Sequence, residues 1–401
     1  MLKVINKLKL ISNNISKYIS DNNKLCVTRT RDNNIYDVVL YKLYYTKKNT
    51  TQEDATIKVN KHKNGKSTSR QSLAKKEALL DVDFYKNLSE KMCAETKKYI
   101  VDDKYTKQII SVDGTYPTFL NSLSECGYKS NLNENSVTPL ITGLFNVTYN
   151  YPVMLSMTKH KNERKAFMDL VKNTSKYKNN IFVFDRGYVS NDLFKFMNDH
   201  ELSYICRLRS NSLLISNDKD DNIIHSSDNN SVRVIRYTIS DANYYIATNL
   251  MDRNEYTVNK LKSIYNDRWT IEEYFKYVKS LMNLKKMNEK KETQIKKTIY
   301  CQLIVSHITY IFNDLNKTNK NLQTVRKINK SQLTKGLYED ILHLFFTGRK
   351  LTTYSLLRLF KTHVKYLTYT LNRNNPRICK RSNFLSYFKN MLRNPKSTDD
   401  K

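Results

Sequence analysis

No two of the six cysteines (Cys26, Cys93, Cys126, Cys206, Cys301, Cys379) stand close together, and no C-x-x-C occurs. That absence argues against a disulfide framework and a structural zinc site, and leaves reduced intracellular thiols as the simpler reading. The seven histidines are unclustered and form no H-E-x-x-H, so any metal must be held mainly by oxygen ligands. The N-terminus lacks the basic, apolar and small-residue layout of a signal peptide. The most apolar stretch, Ile299 to Phe312, is too short to span a bilayer and carries Gln302 and His307, which makes it a buried helix. Internal repeats are missing, and there is one tryptophan, Trp269. Acid is also scarce: 38 Asp and Glu face 69 Lys and Arg, a formal charge of +31. Together these absences describe a soluble, intracellular protein with no membrane contact. Its excess charge repels itself unless a polyanion neutralises it, and nucleic acid is the commonest such partner. Lysine over-use by an AT-rich genome accounts for part of the excess, but not for where the arginines sit.

What is present supports a folded chain. Hydrophobic residues make up 39%, enough for a core and too many for wholesale disorder. A length of 401 residues suggests two or three domains. Residues 1–100 read as a helical, basic, candidate DNA-binding domain. In its opening helix Val4, Leu8, Ile11, Ile15 and Ile19 recur at helical spacing. Ser69 is a good N-cap for a helix carrying Arg70, Lys75 and Lys76. That helix suits DNA contact through Arg70 and suits a merely solvated surface equally well.

The pattern changes after residue 105. Ile109 to Val112, Leu140 to Val147 and Val153 to Met157 read as strands, followed by a helix over 163–171. Ile181-Phe-Val-Phe184 is continuously apolar, the mark of a strand buried on both faces. A helix over 191–198 and a strand over 204–208 follow. Three consecutive strands, then helix, strand, helix, strand, is the order of an RNase H-like α/β sheet, assigned here to residues 105–320. Leu213 to Ile215, Ile223 to His225, Val232 to Ile239 and Tyr244 to Asn249, parted by Asp/Asn-rich turns, predict an antiparallel β insertion at about 211–255. Residues 321–401 read as a helical C-terminal region ending in a basic tail with Arg373, Arg377, Lys380 and Arg381.

Asp113 and Asp185 each stand at the C-terminal end of an apolar strand and are followed by Gly114 and by Arg186-Gly187. Neighbouring strand ends in an α/β sheet share one crevice, so two carboxylates there can converge. A third partner lies in Tyr265-Asn-Asp-Arg268-Trp-Thr-Ile-Glu272-Glu-Tyr-Phe-Lys-Tyr-Val-Lys279. On one helix, with Tyr265 at zero, Arg268, Glu272 and Lys279 fall near about −60°, −20° and −40°. Ile264, Ile271, Phe275, Val278 and Met282 form an apolar stripe beside them, and Glu273 turns away from both. Spacing alone leaves two readings of equal weight: a polar stripe lining a cleft, or a salt-bridged surface with Arg268 and Glu272 at i, i+4.

Tyr265, Arg268, Glu272 and Lys279 match Y-x2-R-x3-E-x6-K at every spacing. That pattern resembles the signature of the insertion-sequence-four family of DDE transposases. Asp113-Gly-Thr and Asp185-Arg-Gly-Tyr188 resemble the family's two aspartate motifs. Ile205-Cys-Arg-Leu-Arg209 and Asn374-Pro-Arg-Ile resemble its following strand and its C-terminal basic element. The likeness covers roughly residues 25–385. It implies a DNA transposase whose catalytic and metal-binding residues are Asp113, Asp185 and Glu272. Two Mg²⁺ ions would be held there, with Mn²⁺ able to substitute, Asp113 bridging and the other two acids each completing one ion. Tyr265, Arg268, Lys279 and Arg186 would contact double-stranded DNA, at transposon ends and target, within a homodimer assembled on DNA. The implied reaction is cut-and-paste: nicking, a hairpin on the element's end, re-opening and strand transfer. In that family a Trp in the insertion can stack on a flipped base. Here Trp269 lies on the glutamate helix and reads as a core residue, which leaves Tyr244 or Tyr245 for stacking. The rival readings are an inactive DNA-binding descendant, a stand-alone nuclease of the same fold, and a basic RNA-binding or structural protein.

Overall fold

The structure, a computed structural model, describes residues 2–23, 33–63, 67–100, 107–131, 136–172, 177–215, 220–225, 231–239, 241–285, 287, 289–317, 327–328, 330–346, 352, 354 and 367–368. The basic residues Arg373, Arg377, Lys380 and Arg381 and the Asn374-Pro-Arg-Ile element lie outside them.

Five helices come first: α1 (Leu2–Asp21), α2 (Ile35–Tyr45), α3 (Gln52–Asn60), α4 (Arg70–Leu79) and α5 (Val82–Ile100). Caps set their starts. The Asn34 side chain accepts from the Asp37 amide while the Asp37 carboxylate accepts from the Asn34 amide, a reciprocal box that begins α2. Ser69 caps α4 through the Ser72 amide, at the position its sequence context predicts.

The chain then enters β1 (Gln108–Thr115), a short pair β2 (Phe119–Leu120) and β3 (Ser136–Val137), β4 (Leu140–Asn146) and β5 (Tyr151–Thr158). Next come α6 (Glu163–Val171), β6 (Asn180–Phe184), α7 (Asn191–Asp199) and β7 (Ser203–Arg207). After these run β8 (Asp221–His225), β9 (Ser231–Ile239), β10 (Ala242–Thr248), α8 (Val258–Asn266), α9 (Trp269–Leu281) and α10 (Glu292–Lys317). The last described helices are α11 (Lys330–Gly336) and α12 (Leu342–Phe346), joined by a π-helical turn at Leu337–Ile341.

Eight strands form one sheet in the order β5-β4-β1-β6-β7-β10-β9-β8. β5, β4 and β1 are antiparallel neighbours, whereas β6 and β7 run parallel to β1 through the helical crossovers α6 and α7. This five-strand order is the RNase H-like arrangement that the succession of elements predicts. The insertion is antiparallel, as expected, but it is not a separate sheet: β10 pairs with β7 and carries β9 and β8 outward on the same sheet. Leu213 to Ile215, expected as a strand, forms turns instead.

Both faces of the sheet are covered, which explains the unbroken apolar run of β6. Phe182 and Phe184 pack with Val112, Phe167, Leu193 and Met197 on the α6–α7 side. Ile181 and Val183 alternate to the other side, against Leu261, Ile264 and Tyr265 of α8. On that second side, α9 and α10 share one apolar cluster with residues of α1, α2 and α5 and with Ile141 and Phe145 of β4. Arg233, almost fully buried, ties the insertion to the approach to α8. Its guanidinium forms a fork with Asp221 (2.9 and 2.7 Å) and donates to the carbonyls of Leu250 and Tyr256 (3.0 and 2.9 Å). Among the described residues no helix is long and apolar enough to cross a membrane.

Helix α9 approaches the sheet closely because β4 has a glycine beneath it. A Cβ on Gly143 would stand 2.8 Å from Phe275 Cζ and 3.4 Å from Leu155 Cδ2. Gly143→Ala therefore overpacks a buried contact at a cost of about 1–3 kcal/mol, against which the lost backbone freedom returns less than about 1 kcal/mol. We expect a net destabilisation of roughly 1–2 kcal/mol in denaturant unfolding. An unchanged or raised midpoint would show that α9 is not seated on this glycine.

Candidate active site

Strand β1 pairs with β6 in parallel up to Ser111 beside Val183. Two residues farther along each chain come Asp113 and Asp185, so parallel register alone sets the two carboxylates at neighbouring strand ends. Alternation along β1 sends Ile110 and Val112 toward α6 and α7 and turns Asp113 to the side of α9. Asp113 Oδ1 accepts from the Gly114 amide at 2.9 Å, and Asp185 Oδ1 accepts from the Gly187 amide at 2.7 Å. At Gly187 a Cβ would lie 3.1 Å from that same Asp185 oxygen, so the close approach suits glycine.

The segment expected as one helix from Tyr265 to Lys279 is two. Asp267 and Arg268 stay in the right-handed region but bond in the tighter i, i+3 manner (Arg268 amide to Tyr265 carbonyl, 3.1 Å; Thr270 amide to Asp267 carbonyl, 3.1 Å). Tyr265 is consequently tucked into the apolar layer under β6 and β7. Arg268 and Glu272 remain one turn apart and joined at 2.6 Å, in a pair whose side chains are only 11% and 26% exposed. The two readings of this stripe are thus combined. The salt bridge exists, and it faces the strand ends, where the Arg268 charge acts on Asp113. Lys279 is half-buried on the same helix; burial lowers its pKa while Asp113 pulls it back up. Glu273 is exposed.

Other expected residues lie elsewhere. Arg186 is exposed beside Asp185. Arg70, on α4, stands 3.7 Å from Glu53 in the helical layer, where α4 packs chiefly on α2 and α3. Trp269 is not a core residue: 43% of it is exposed, and its ring is flanked by Lys276 Nζ (4.9 Å) and the Arg268 guanidinium (5.9 Å). Besides Ile271, Phe275 and Val278, the buried places on α9 go to Tyr274 and Tyr277, which face α10 with hydroxyls near Ser306 and Thr309. Tyr244 is stacked on Tyr237 and covered by Arg207, whose guanidinium lies 4.7 Å from the ring.

One acidic residue at the site went unremarked in the sequence. Glu163 opens α6 and folds back over Gly114, where a Cβ would meet its Oε1 at 2.7 Å. It is recognisable only once the topology is known. β5 runs parallel to β1, so the chain leaving β5 reaches the same edge of the sheet as Asp113 and Asp185.

The electrostatics record this crowding. Burial, with Asp185 and Glu163 adding to it, pushes the Asp113 carboxyl up to about 7, although the Gly114 amide and Arg268 oppose the rise. Glu163 is likewise raised, by burial and then by Asp185, with the nearby Tyr116 hydroxyl working the other way. The donors are carboxylate oxygens, the ligand type a hard divalent cation prefers. Among the described residues no three such side chains stand close enough to hold an ion together, and Glu272 is engaged with Arg268.

A family model described as "Transposase DDE domain" matches residues 104–307. No curated protein matches the chain. Among solved structures the chain is similar to one titled "Cryo-EM structure of piggyBac transposase synaptic complex with hairpin DNA", at 11% identity and a TM-score of 0.47, over 92% of this chain and 86% of that one.

Ionisation of Asp113 opposes folding, because its carboxyl titrates near 7 in the folded protein and near 4 when unfolded. The opposition is negligible below about pH 4, grows as the pH rises, and is complete above about 7. Asp113→Asn should therefore stabilise the metal-free protein at pH 8, by on the order of 4 kcal/mol, and hardly at pH 4. Denaturant unfolding with chelator at both pH values measures this. A variant-to-parent difference independent of pH would remove the buried-acid account.

Proposed function

This chain belongs to the transposase DDE domain family, and from that premise we propose that it excises and inserts DNA by cut-and-paste, using Asp113, Asp185 and Glu272 as its catalytic carboxylates. It is a DNA transposase, an enzyme of phosphodiester cleavage and transfer whose family uses divalent metals. The observation that carries the finer reading is the meeting of two strand-end aspartates with the Arg268–Glu272 pair on the facing helix. The Y-x2-R-x3-E-x6-K spacing supports placing it in the insertion-sequence-four family, with a hairpin on the element's end.

Asp113, Asp185 and Glu272 would hold the divalent ions, which we take to be two Mg²⁺. Bound there, the ions supply Lewis-acid activation of the attacking oxygen and neutralise charge on the leaving oxygen. The chain's own groups prepare the ground. The Gly114 and Gly187 amides orient one oxygen of each aspartate and leave the other available. Arg268 holds Glu272 by a charged contact that a DNA phosphate can take over, which frees the carboxylate. Lys279 and the exposed Arg186 hold DNA phosphates, and the net charge of +31 supplies attraction at long range. Both DNA ends are held in a homodimer.

Adjacent glutamates on α9 provide the test. Glu272→Gln should reduce nicking of DNA carrying the gene's flanking sequences at least about 100-fold, with Mg²⁺ or Mn²⁺, which corresponds to roughly 2.7 kcal/mol of barrier. Exposed Glu273→Gln should cut like the parent. The reverse result would overturn the assignment of the glutamate. Normal cutting by both would sink the three-carboxylate reading and favour a different chemistry. A parent chain that binds these ends and never nicks them would be the inactive descendant.

Lys279→Ala should lower the salt dependence of end binding by about one phosphate contact. Fluorescence anisotropy over a salt series reads that slope, and an unchanged slope would leave Lys279 as a packing residue.

A further inference from the structure

We propose that the lysines around the excursion between β1 and β4, which carries β2 and β3, form a seat for the duplex DNA that flanks the element, gripping phosphates without reading sequence. The inference rests on reading the ends of β1 and β6 as the place where DNA is cut. It goes beyond that reading, because these lysines belong to none of the motifs around Asp113, Asp185 and Glu272.

Three separate stretches meet there. β1 hands the chain to the excursion at the edge where Asp113 stands, and β5, parallel to β1, brings Lys159 and Lys161 to the same edge. The connection from α9 to α10 is tied on from the other side. The Thr118 amide donates to the Lys285 carbonyl (3.2 Å), the Ser122 hydroxyl to the Lys290 carbonyl (3.0 Å) and the Tyr128 hydroxyl to Glu292 (2.9 Å). The Tyr116 hydroxyl donates to the Lys161 carbonyl at 3.2 Å, and the Lys161 ammonium donates to Thr138 at 2.8 Å. Beneath these bonds Phe119, Leu123, Tyr128 and Val137 share an apolar cluster with Leu284 and Met287. The backbone is therefore already fixed, and a ligand has little left to order.

The resulting surface is of one sign. Lys129, Lys159, Lys161, Lys285, Lys290 and Lys291 are exposed, and the one exposed acid among the described residues of these stretches is Glu125. Glu292 is paired with Lys296 at 2.7 Å, and Glu289 accepts from Thr298 at 2.6 Å. Like charges held on a fixed backbone repel one another, and a polyanion relieves that repulsion. The charge also runs on to the catalytic helix: burial lowers the Lys279 pKa, Asp113 raises it, and Lys285 lowers it again. A duplex seated at Asp113 thus meets lysines as it leaves the site on this side. Every exposed cation in these stretches is a lysine. A compact ammonium on a flexible stem fixes phosphates and carries no base readout. Such contacts suit DNA whose sequence changes with every insertion, which is the flank and not the element's constant end.

The test uses the full chain and two duplexes carrying the gene's end sequence, one stopping at the element's terminus and one continuing about 15 base pairs into the flank. Fluorescence anisotropy over a salt series gives an affinity and a slope for each, with folding checked by circular dichroism. The parent should bind the flanked duplex more tightly and with the steeper slope. Replacing Lys159, Lys285 and Lys290 together by Ala should weaken the flanked complex at least about tenfold and lower its slope by about two to three, at roughly 0.9 per phosphate contact. The flank-free duplex should be bound as by the parent. Lys290→Ala alone should lower the flanked slope by about one. An equal loss on both duplexes would put the element's end on these lysines and overturn the proposal. No change on either would leave them a solvated face and overturn it as well. A parent that binds neither duplex better than unrelated DNA, and never nicks the flanked one, would bring down the cut-and-paste reading and this inference with it.

Discussion

Everything at the site follows from the parallel pairing of β1 with β6. That ladder fixes which residues of two distant segments sit side by side, and it delivers Asp113 and Asp185 to adjacent strand ends. Burying both faces of β6 makes the ladder strong and at the same time makes the aspartates costly. The apolar layers that hold the strands also remove water from Asp113 and push its carboxyl up to about 7. Stability of the sheet and tension at its edge have the same source. The neighbouring features read as responses to it: backbone amides on one oxygen of each aspartate, and an arginine from α9 within range.

Much of this was legible in the residues, and for definable reasons. A strand buried on two faces has no alternation to hide, so Ile181–Phe184 announced itself. The helix expected at 163–171 has those bounds in the structure because Asn162 caps it. The neighbourhood of Asp113 and Asp185, and the turn-spaced contact of Arg268 with Glu272, follow from strand ends and helical spacing. What failed did so where residue type was weighed above position. On the same helical wheel Trp269 falls near about +40°, between Lys276 and Glu273, on the face that proves exposed. Its size suggested the core, but its angle did not. Tyr274 and Tyr277 widen the buried arc beyond the apolar stripe because α9 is packed against α10 as well as the sheet.

Other features had no local signal at all. Leu213 to Ile215 carries strand-forming residues but lies in turns, since a run of three residues has too few partners to hold a ladder. That the insertion would continue the central sheet depends on β7 having a free edge, a property of the assembled strands and not of any segment. Glu163 is the clearest case. In sequence it is an ordinary acid in a first helical turn, and only the direction of β5 brings it to the edge where Asp113 stands.

The anchoring of Arg233 couples two parts of the chain. This one guanidinium reads the register of β8 against β9 and simultaneously grips the carbonyls of Leu250 and Tyr256, on the way to α8. A slip of one residue would turn Asp221 to the opposite face and strand a buried cation, so misregistered hairpins are heavily disfavoured. The register of the insertion and the path of the chain into the helix pair bearing Arg268 and Glu272 are thus held by one side chain, so a change in either is felt by the other.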